Sequence, residues 1–136
     1  MRISDDEALR EMLSESKVVA VVGHSDKPFR TSYQIAQYLR DAGYKVYPVN
    51  PTVSEINGER VYASLAEIPE AIDIVDVFRR SEYLEGVVRD AIQVGAKAVW
   101  AQLGVADLIA EKEAVAAGLP IVMDRCIKID HQRLNI

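Results

Sequence analysis

The sequence predicts an α/β domain of the doubly wound type, with a mainly parallel sheet and helices on both faces. Five strands are expected in the sheet, and a sixth is compatible with the pattern. Short apolar runs rich in β-branched residues alternate with amphipathic segments along the chain. The stretches "DAGYKVYPV", "QVGAKAVWA" and "AAGLPIVMD" share one pattern, in which a glycine ends a helix and a strand follows two or three residues later. Repeated strand–helix–strand units with short connections form right-handed crossovers and hence parallel sheets.

The strands are predicted from five apolar runs without polar alternation, which is typical of strands buried on both faces. These runs span residues 18–22, 46–49, 72–78, 99–103 and 121–123. A chain of 136 residues fits one domain, so we expect residues 1–136 to form a single unit with its own core.

The helices are predicted from apolar stripes and from capping residues. Ser4 and Glu7 form a capping-box pattern before a helix over residues 4–15, and Ser64 and Glu67 form a second one before a short turn stopped by Pro69. Longer helices are expected over residues 32–42, 82–94 and 106–117, and each of them ends near a glycine that can adopt the left-handed cap: Gly43, Gly95 and Gly118.

Charge and composition exclude several classes of function. The formal net charge is −5 and the pI is about 5.0, which argues against non-specific binding to nucleic acid or to a membrane surface. One cysteine cannot form an intramolecular disulfide, and two histidines are too few for a typical zinc site. The acidic N-terminal segment resembles neither a signal peptide nor a membrane span, so we expect a cytoplasmic protein that contains no metal.

Basic residues follow several strands, at the edge where parallel sheets bind ligands. We call this set the cationic rim: Lys27, Arg30, Arg79, Arg80, Arg125 and Lys128. Any one of them could simply be solvated. The set gains significance because the loop after the first strand leads into a helix N-terminus at Thr31 or Ser32, where free amides attract anions. The sequence therefore predicts a local anion site on an acidic protein.

Other polar residues have plainer explanations. We expect His24 to be a partly exposed loop histidine rather than a catalytic one, because no nucleophile or carboxylate is placed beside it. Asp73 and Asp76 are oddly spaced in a strand and so face opposite sides, and a structural hydrogen bond is commoner there than a catalytic acid. Trp100 and Tyr33 are expected to be packing residues rather than platforms on which a ligand stacks. No residue is predicted to be catalytic.

A nucleotide site of the NAD type is less well supported. Such domains place an acid at the end of the second strand to hold the ribose hydroxyls, whereas here Asn50 and Pro51 stand there. A neutral turn is compatible with an adenosine that carries an additional phosphate on its ribose. The usual second and third glycines after Gly23 are also missing.

Six segments in order resemble the stand-alone CoA-binding domain family, itself similar to the N-terminal CoA-binding domain of the succinyl-CoA synthetase alpha subunit. The segments are "VVGHSDKPFRTSYQIAQYL", "VYPVNP", "VYASLAEIP", "DIVDVFRRSE", "GAKAVWAQLG" and "GLPIVMDRCIKI". The resemblance covers about residues 15–134 and implies a Rossmann-like, nucleotide-binding domain with coenzyme A at the carboxyl edge of the sheet. The fourth-strand and tail motifs would complete that edge.

The resemblance also implies the residues that bind the cofactor. The loop after the first strand would cradle the phosphates, namely Gly23, His24, Ser25, Lys27, Arg30, Thr31 and Ser32. The turn after the second strand would line the adenosine side, through Asn50 and Pro51. The end of the third strand would contact the adenine, phosphates or pantetheine arm, through Val77, Phe78, Arg79 and Arg80.

The leading function is that of a non-catalytic module that binds CoA or acyl-CoA. The alternatives are a subunit of an acyl-CoA processing enzyme and an NAD(P)-binding protein. The sequence lacks the second domain of the synthetase subunit, so we expect no complete ligase, although a protein partner or a homo-oligomer is compatible with it. Cys126 is either a small buried side chain or a thiol able to form a mixed disulfide with CoA.

Overall fold

The structure, a computed structural model, describes residues 2–136 and confirms the α/β fold with a central parallel sheet. The strands are β1 (Val18–Val22), β2 (Lys45–Val49), β3 (Glu55–Ile56), β4 (Glu59–Arg60), β5 (Ile74–Val77), β6 (Val99–Ala101) and β7 (Ile121–Val122). The α-helices are α1 (Asp6–Glu15), α2 (Thr31–Asp41), α3 (Leu84–Val94), α4 (Leu108–Ala116) and α5 (Ile127–Arg133).

The main sheet has five strands in the order β2-β1-β5-β6-β7, and every pairing in it is parallel. The strand order therefore reverses between β1 and β5, which is where doubly wound sheets bind ligands. The short antiparallel hairpin β3–β4 lies in the long connection from β2 to β5. No sixth strand joins the sheet within residues 2–136; isolated bridges link Arg2 to Ile121 and Val49 to Tyr62.

Two apolar cores lie on opposite faces of this sheet. Alternate residues of β1 contribute to different cores, with Val19 and Val21 on the face covered by α1, α2 and α5, and Ala20 and Val22 on the face covered by α3 and α4. All five residues of β1 are buried, as the uninterrupted apolar run predicted. Within residues 2–136, no helix has both the length and the apolar content needed to cross a membrane.

The glycine caps are confirmed, but neither capping box forms, since Ser64 is the N-cap of its short turn without making a side-chain capping bond. Gly43, Gly95 and Gly118 have positive φ angles of 103°, 74° and 72°. Helix α1 is capped by Asp5, whose carboxylate accepts a hydrogen bond of 2.8 Å from the Ala8 amide, and not by Ser4. Asp5 takes this position because its carboxylate also suits the positive end of the helix dipole.

Some predicted boundaries were too generous and two elements were missed. The third predicted strand, residues 72–78, is reduced to Ile74–Val77, and the short turn at residues 64–67 is a 3₁₀ turn, Leu65–Glu67. The hairpin β3–β4 was missed because its strands have two residues each, although the Asn57-Gly58 pair at its turn is a typical hairpin signal. Helix α5 was missed because its buried face includes the polar residues Asp130 and His131, which hides the apolar period.

Candidate functional site

A cavity of about 530 Å³ opens at the carboxyl edge of the sheet, beside the reversal of strand order. Three segments form its wall: the loop after β1, the turn after β2 and the end of β5. The lining residues are Gly23, Ser25, Asp26, Lys27, Arg30, Thr31, Ser32, Asn50, Thr52, Val53 and Phe78. Eight of these residues belong to the set implied by the resemblance, whereas Asp26, Thr52 and Val53 do not.

Gly23 ends β1 at a position where no side chain fits. Its φ angle is +87°, and a Cβ atom placed there would lie 2.6 Å from the carbonyl oxygen of Phe78 and 3.1 Å from the carbonyl carbon. The Gly23 amide donates a 2.8 Å hydrogen bond to the carbonyl of Val49, so the residue also extends the pairing of β1 with β2. Gly23 thus lets the ends of three strands come together beneath the cavity.

The loop after Gly23 is held by its own hydroxyl groups. The Ser25 amide donates to the Ser32 Oγ at 3.0 Å, and the Lys27 amide donates to the Ser25 Oγ at 3.0 Å. The Arg30 amide closes a turn onto the Lys27 carbonyl at 3.0 Å. These bonds fold the loop back onto the first turn of α2, so a loop with only one glycine still has a defined shape.

The N-terminus of α2 is open. Its N-cap residue is Arg30, which makes no side-chain capping bond, and its first turn contains no acidic residue. By contrast, Asp5 caps α1 and Asp107 caps α4, and in each case the carboxylate accepts a hydrogen bond from a backbone amide of the first turn. Among the helices of eight or more residues in the described chain, only α2 lacks both a side-chain cap and a first-turn acid. Its free amides and dipole favour an anion.

Two cations flank this helix end. Lys27 and Arg30 are exposed, and neither forms an ion pair with any residue in the described part of the chain. The Arg30 guanidinium lies 5.6 Å from the centre of the Phe29 ring. Asp26 is the acidic residue on the cavity wall. With two cations and one carboxylate, the cavity wall keeps a net positive charge.

Asn50 ties two walls of the cavity together. Its Nδ2 donates to the carbonyl of His24 at 3.0 Å, while its Oδ1 accepts from the amide of Thr52 at 3.0 Å and from the Thr52 hydroxyl at 2.8 Å. The side chain thus links the loop after β1 to the turn after β2. An aspartate here would lose the bond to the His24 carbonyl, because an ionised carboxylate has no donor.

His24 is buried, so the expectation of a partly exposed histidine is wrong. Its Nδ1 donates to the carbonyl of Ser25 at 2.8 Å, and its Nε2 accepts from the Arg40 guanidinium of α2 at 3.3 Å. Burial lowers the pKa of the imidazole below its ordinary value, which keeps the ring neutral. The ring packs edge-on against Tyr33 and does not form part of the cavity wall.

Four further residues implied by the resemblance lie outside the cavity wall. Val77 is fully buried in the α3/α4 core, and Pro51 is exposed beside the cavity. The Arg79 guanidinium stacks on the Tyr83 ring at 4.4 Å, while Arg80 is exposed and lies 3.8 Å from Glu82. The two arginines follow β5 and are still on the same edge of the sheet as the cavity.

The far part of the cationic rim is engaged elsewhere. Arg125 forms a two-point ion pair with Asp130, with distances of 2.7 and 2.9 Å. The Lys128 ammonium lies 5.5 Å from the centre of the Tyr38 ring. Within residues 2–136, ion pairs thus involve Arg80 and Arg125 of the rim, whereas Lys27, Arg30, Arg79 and Lys128 form none.

Asp73 and Asp76 have separate roles, as their spacing predicted. Asp73 accepts hydrogen bonds of 2.9 Å from the amides of Lys17 and Val18 and so fixes the opposite edge of the sheet. Asp76 is fully buried between Val21 and Trp100 in the sheet register, and neither of its oxygens has a hydrogen-bond partner. Burial raises the pKa of the Asp76 carboxyl well above its ordinary value. Nothing in the sequence pattern marked this residue as an unpaired acid.

The thiol of Cys126 is buried, which fits the simpler of its two interpretations. Trp100 is also buried, as predicted, and its Nε1 donates to the carbonyl of Arg125 at 2.9 Å. Burial restricts access to the Cys126 thiol and so does not favour a mixed disulfide with CoA.

Comparison with known proteins identifies the family. Residues 17–132 match the model of the CoA binding domain, and the chain belongs to that family. It is 45% identical over 123 residues to the Bacillus subtilis protein YneT and covers 91% of that protein. It also superimposes with a TM-score of 0.94 on a hypothetical protein from Pyrococcus horikoshii OT3, at 41% identity over 98% of this chain and 94% of the other.

Larger enzymes share the domain. The alpha subunit of the ADP-forming acetate–CoA ligase I of Pyrococcus furiosus is 38% identical over 95 residues. The matched region covers 65% of this chain but only 21% of that subunit. The dinucleotide-forming acetyl-coenzyme A synthetase 1 of Ca. Korarchaeum cryptofilum superimposes with a TM-score of 0.71 at 28% identity, over 82% of this chain and 26% of that protein. The chain is thus related to one domain of these enzymes.

Proposed function

We propose that the protein binds coenzyme A or an acyl-CoA, with the phosphates of the ligand at the open N-terminus of α2. The observation that carries this proposal is the uncapped first turn of α2, flanked on the cavity wall by the unpaired Lys27 and Arg30. Free amides and two cations together suit a diphosphate better than a neutral ligand. Membership of the CoA binding domain family supports the same ligand.

The turn after β2 favours CoA over NAD. An NAD site uses a carboxylate there to accept hydrogen bonds from the ribose hydroxyls. Asn50 stands at this place, and its amide oxygen is already bonded to Thr52. Without a negative charge at this turn, a ribose that carries a 3′-phosphate is not repelled. Thr52 and Val53 on the same wall then lie on the adenosine side of the proposed ligand.

Calorimetric titration with CoA, dephospho-CoA and NAD tests the proposal. We expect CoA to bind more tightly than NAD. Lys27→Gln and Arg30→Gln should each weaken the binding of CoA, with roughly a 5–20-fold rise in Kd. A charge-assisted contact contributes about 1.5–3 kcal/mol, and exposure to water reduces that contribution. Lys17→Gln, at the opposite edge of the sheet, is the matched control. Absence of CoA binding, or tighter binding of NAD, would refute the proposal.

Arg79 and Arg80 are proposed to contact the ligand although they lie outside the cavity wall. Arg79 is the stronger candidate for this contact, because its side chain approaches Gly23. Its Cδ lies 3.3 Å from the position that a Cβ of residue 23 would take. If either arginine contacts the 3′-phosphate, its replacement by glutamine weakens CoA more than dephospho-CoA. Equal losses for the two ligands would remove that assignment.

A second candidate function is a subunit of an acyl-CoA processing enzyme. The sequence relationship to the acetate–CoA ligase alpha subunit favours it, since that subunit is several times longer than the matched region. In that case the CoA cavity would work together with a separate protein that supplies the catalytic groups. Purification of the native protein together with a larger ATP-binding protein would support this candidate, and recovery of the chain alone would count against it.

A further inference from the structure

Helix α4 is apolar on two opposite sides. Ala110 and Ala114 are fully buried on the inner side, where α4 packs against α3 and β7. On the outer side, Leu108, Ile109 and Val115 are 73%, 60% and 48% exposed. Glu111 and Lys112 lie between these exposed apolar side chains, so the outer side combines apolar ends with a charged centre. The outer side of α4, formed by Leu108, Ile109, Glu111, Lys112 and Val115, is here called the α4 face.

The order of residues along the α4 face is self-complementary. If two copies of the helix lie antiparallel about a two-fold axis between Glu111 and Lys112, Leu108 of one copy lies opposite Val115 of the other. Glu111 of each copy then lies opposite Lys112 of the other. The same contact therefore occurs twice, once on each side of the axis, as in closed dimers. Leu108 and Val115 are about 10 Å apart along the helix at 1.5 Å per residue. Leu108, Val115 and the charged centre therefore match at the same time, whereas Ile109 lies opposite the buried Ala114 and stays at the margin of the contact.

The charges on this face are compatible with such pairing. Lys112 is exposed and has no ion pair with any residue between 2 and 136. Glu111 is held by Arg2, with 2.7 Å from the Arg2 Nε to the Glu111 Oε2, which fixes its carboxylate on the helix surface. A lysine from a second copy can approach a carboxylate held in this way without first ordering it.

We propose that the α4 face is the interface of a homodimer in which two α4 helices pack antiparallel about a two-fold axis. The lining of the cavity at the carboxyl edge of the sheet includes no residue of α4, so the proposed interface uses none of its wall residues. One pair of short helices buries less surface than the roughly 1,200–2,000 Å² of a stable interface, so we expect a weak and reversible dimer. This inference is independent of the identity of the ligand.

Sedimentation velocity of the full chain over a range of about 1–500 µM provides the test, and we expect a concentration-dependent shift from the 15.1 kDa monomer to a dimer. Lys112→Glu places a second glutamate opposite Glu111 and should raise the dimer dissociation constant at least about tenfold, since like charges in contact cost a kcal/mol or more. Leu108→Gln should do the same through the loss of apolar contact. Lys17→Glu, with the same charge change at the amino edge of the sheet, should leave the dimer intact.

A charge exchange separates this arrangement from a general electrostatic effect. Lys112→Glu and Glu111→Lys proteins, each weakly associating alone, should form a mixed dimer on combination, because the two changes become complementary across the axis. Circular dichroism and CoA titration of each variant verify that it is folded. A wild-type chain that stays monomeric to about 500 µM, or a Lys112→Glu protein that dimerises as well as Lys17→Glu, would overturn the proposal.

Discussion

The contact between Gly23 and the end of β5 gives the sharpest prediction about the site. Gly23→Ala would place a Cβ 2.6 Å from the Phe78 carbonyl oxygen at a φ angle of +87°. The left-handed conformation costs an alanine about 1–2 kcal/mol. The Phe78 carbonyl belongs to the backbone and cannot rotate away, so displacement of the strand end adds about 1–3 kcal/mol. Together the substitution should lower the free energy of unfolding by about 2–5 kcal/mol.

Gly118→Ala is the matched control. Gly118 also has a positive φ angle, +72°, but a Cβ there would have no atom within 4 Å. Its cost should be limited to the conformational part, about 1–2 kcal/mol. Chemical denaturation of the two variants and the wild type, with the midpoint and the slope fitted separately, measures the difference. We also expect Gly23→Ala, and not Gly118→Ala, to weaken CoA. Equal losses of stability in the two variants would refute the reasoning from close contact.

Three further predictions concern Asp76, Asp130 and Asn50. Burial raises the pKa of Asp76, so its contribution to stability is full below about pH 4 and is lost as pH rises toward the pKa of the folded state. Asp76→Asn should remove this pH-dependent loss of stability. If the unfolding midpoints of the variant and the wild type stay parallel from about pH 4 to 8, this expectation is wrong. Burial raises the pKa of Asp130, but its ion pairs with Arg125 and Arg133 outweigh that effect and lower it overall. Asp130→Asn should therefore lower the free energy of unfolding by about 1–3 kcal/mol near pH 7 and by less in acid. If the ion pairs contribute nothing, thermal melts at about pH 7 and in acid would show the same difference between variant and wild type. Asn50→Ala should cost about 1–2 kcal/mol and weaken CoA, whereas Asn50→Asp should weaken CoA more than dephospho-CoA; calorimetry showing unchanged binding in both variants would exclude a role for this turn.

The fold was predictable because its signals are local. The run Val18–Val22 is buried on both faces, and a strand of this kind needs apolar residues at consecutive positions. Gly95 ends α3 because its positive φ angle is costly for any residue with a side chain. The two-residue strands of the β3–β4 hairpin have no such signal, and the hairpin turn relies on Asn57 and Gly58, with φ angles of 52° and 82°.

The candidate site was predictable only in part, because much of it depends on contacts between distant segments. Lys27 and Arg30 were identified from their place after an apolar strand and before a helix, and both line the cavity. The burial of His24 depends on Arg40 of α2, which sequence spacing does not reveal. Arg125 looked equally available, but helix α5 brings Asp130 against it. The partner of a charged side chain depends on which segments the fold brings together, and sequence order alone does not identify it.

A crystal structure of the protein grown with CoA tests the central claim most directly. We expect the diphosphate at the N-terminus of α2, within hydrogen-bond distance of the amides of Thr31 or Ser32 and near Lys27 and Arg30. We also expect the adenosine beside Asn50 and Thr52. CoA bound at another surface, or a diphosphate that makes no contact with the first turn of α2, would contradict it.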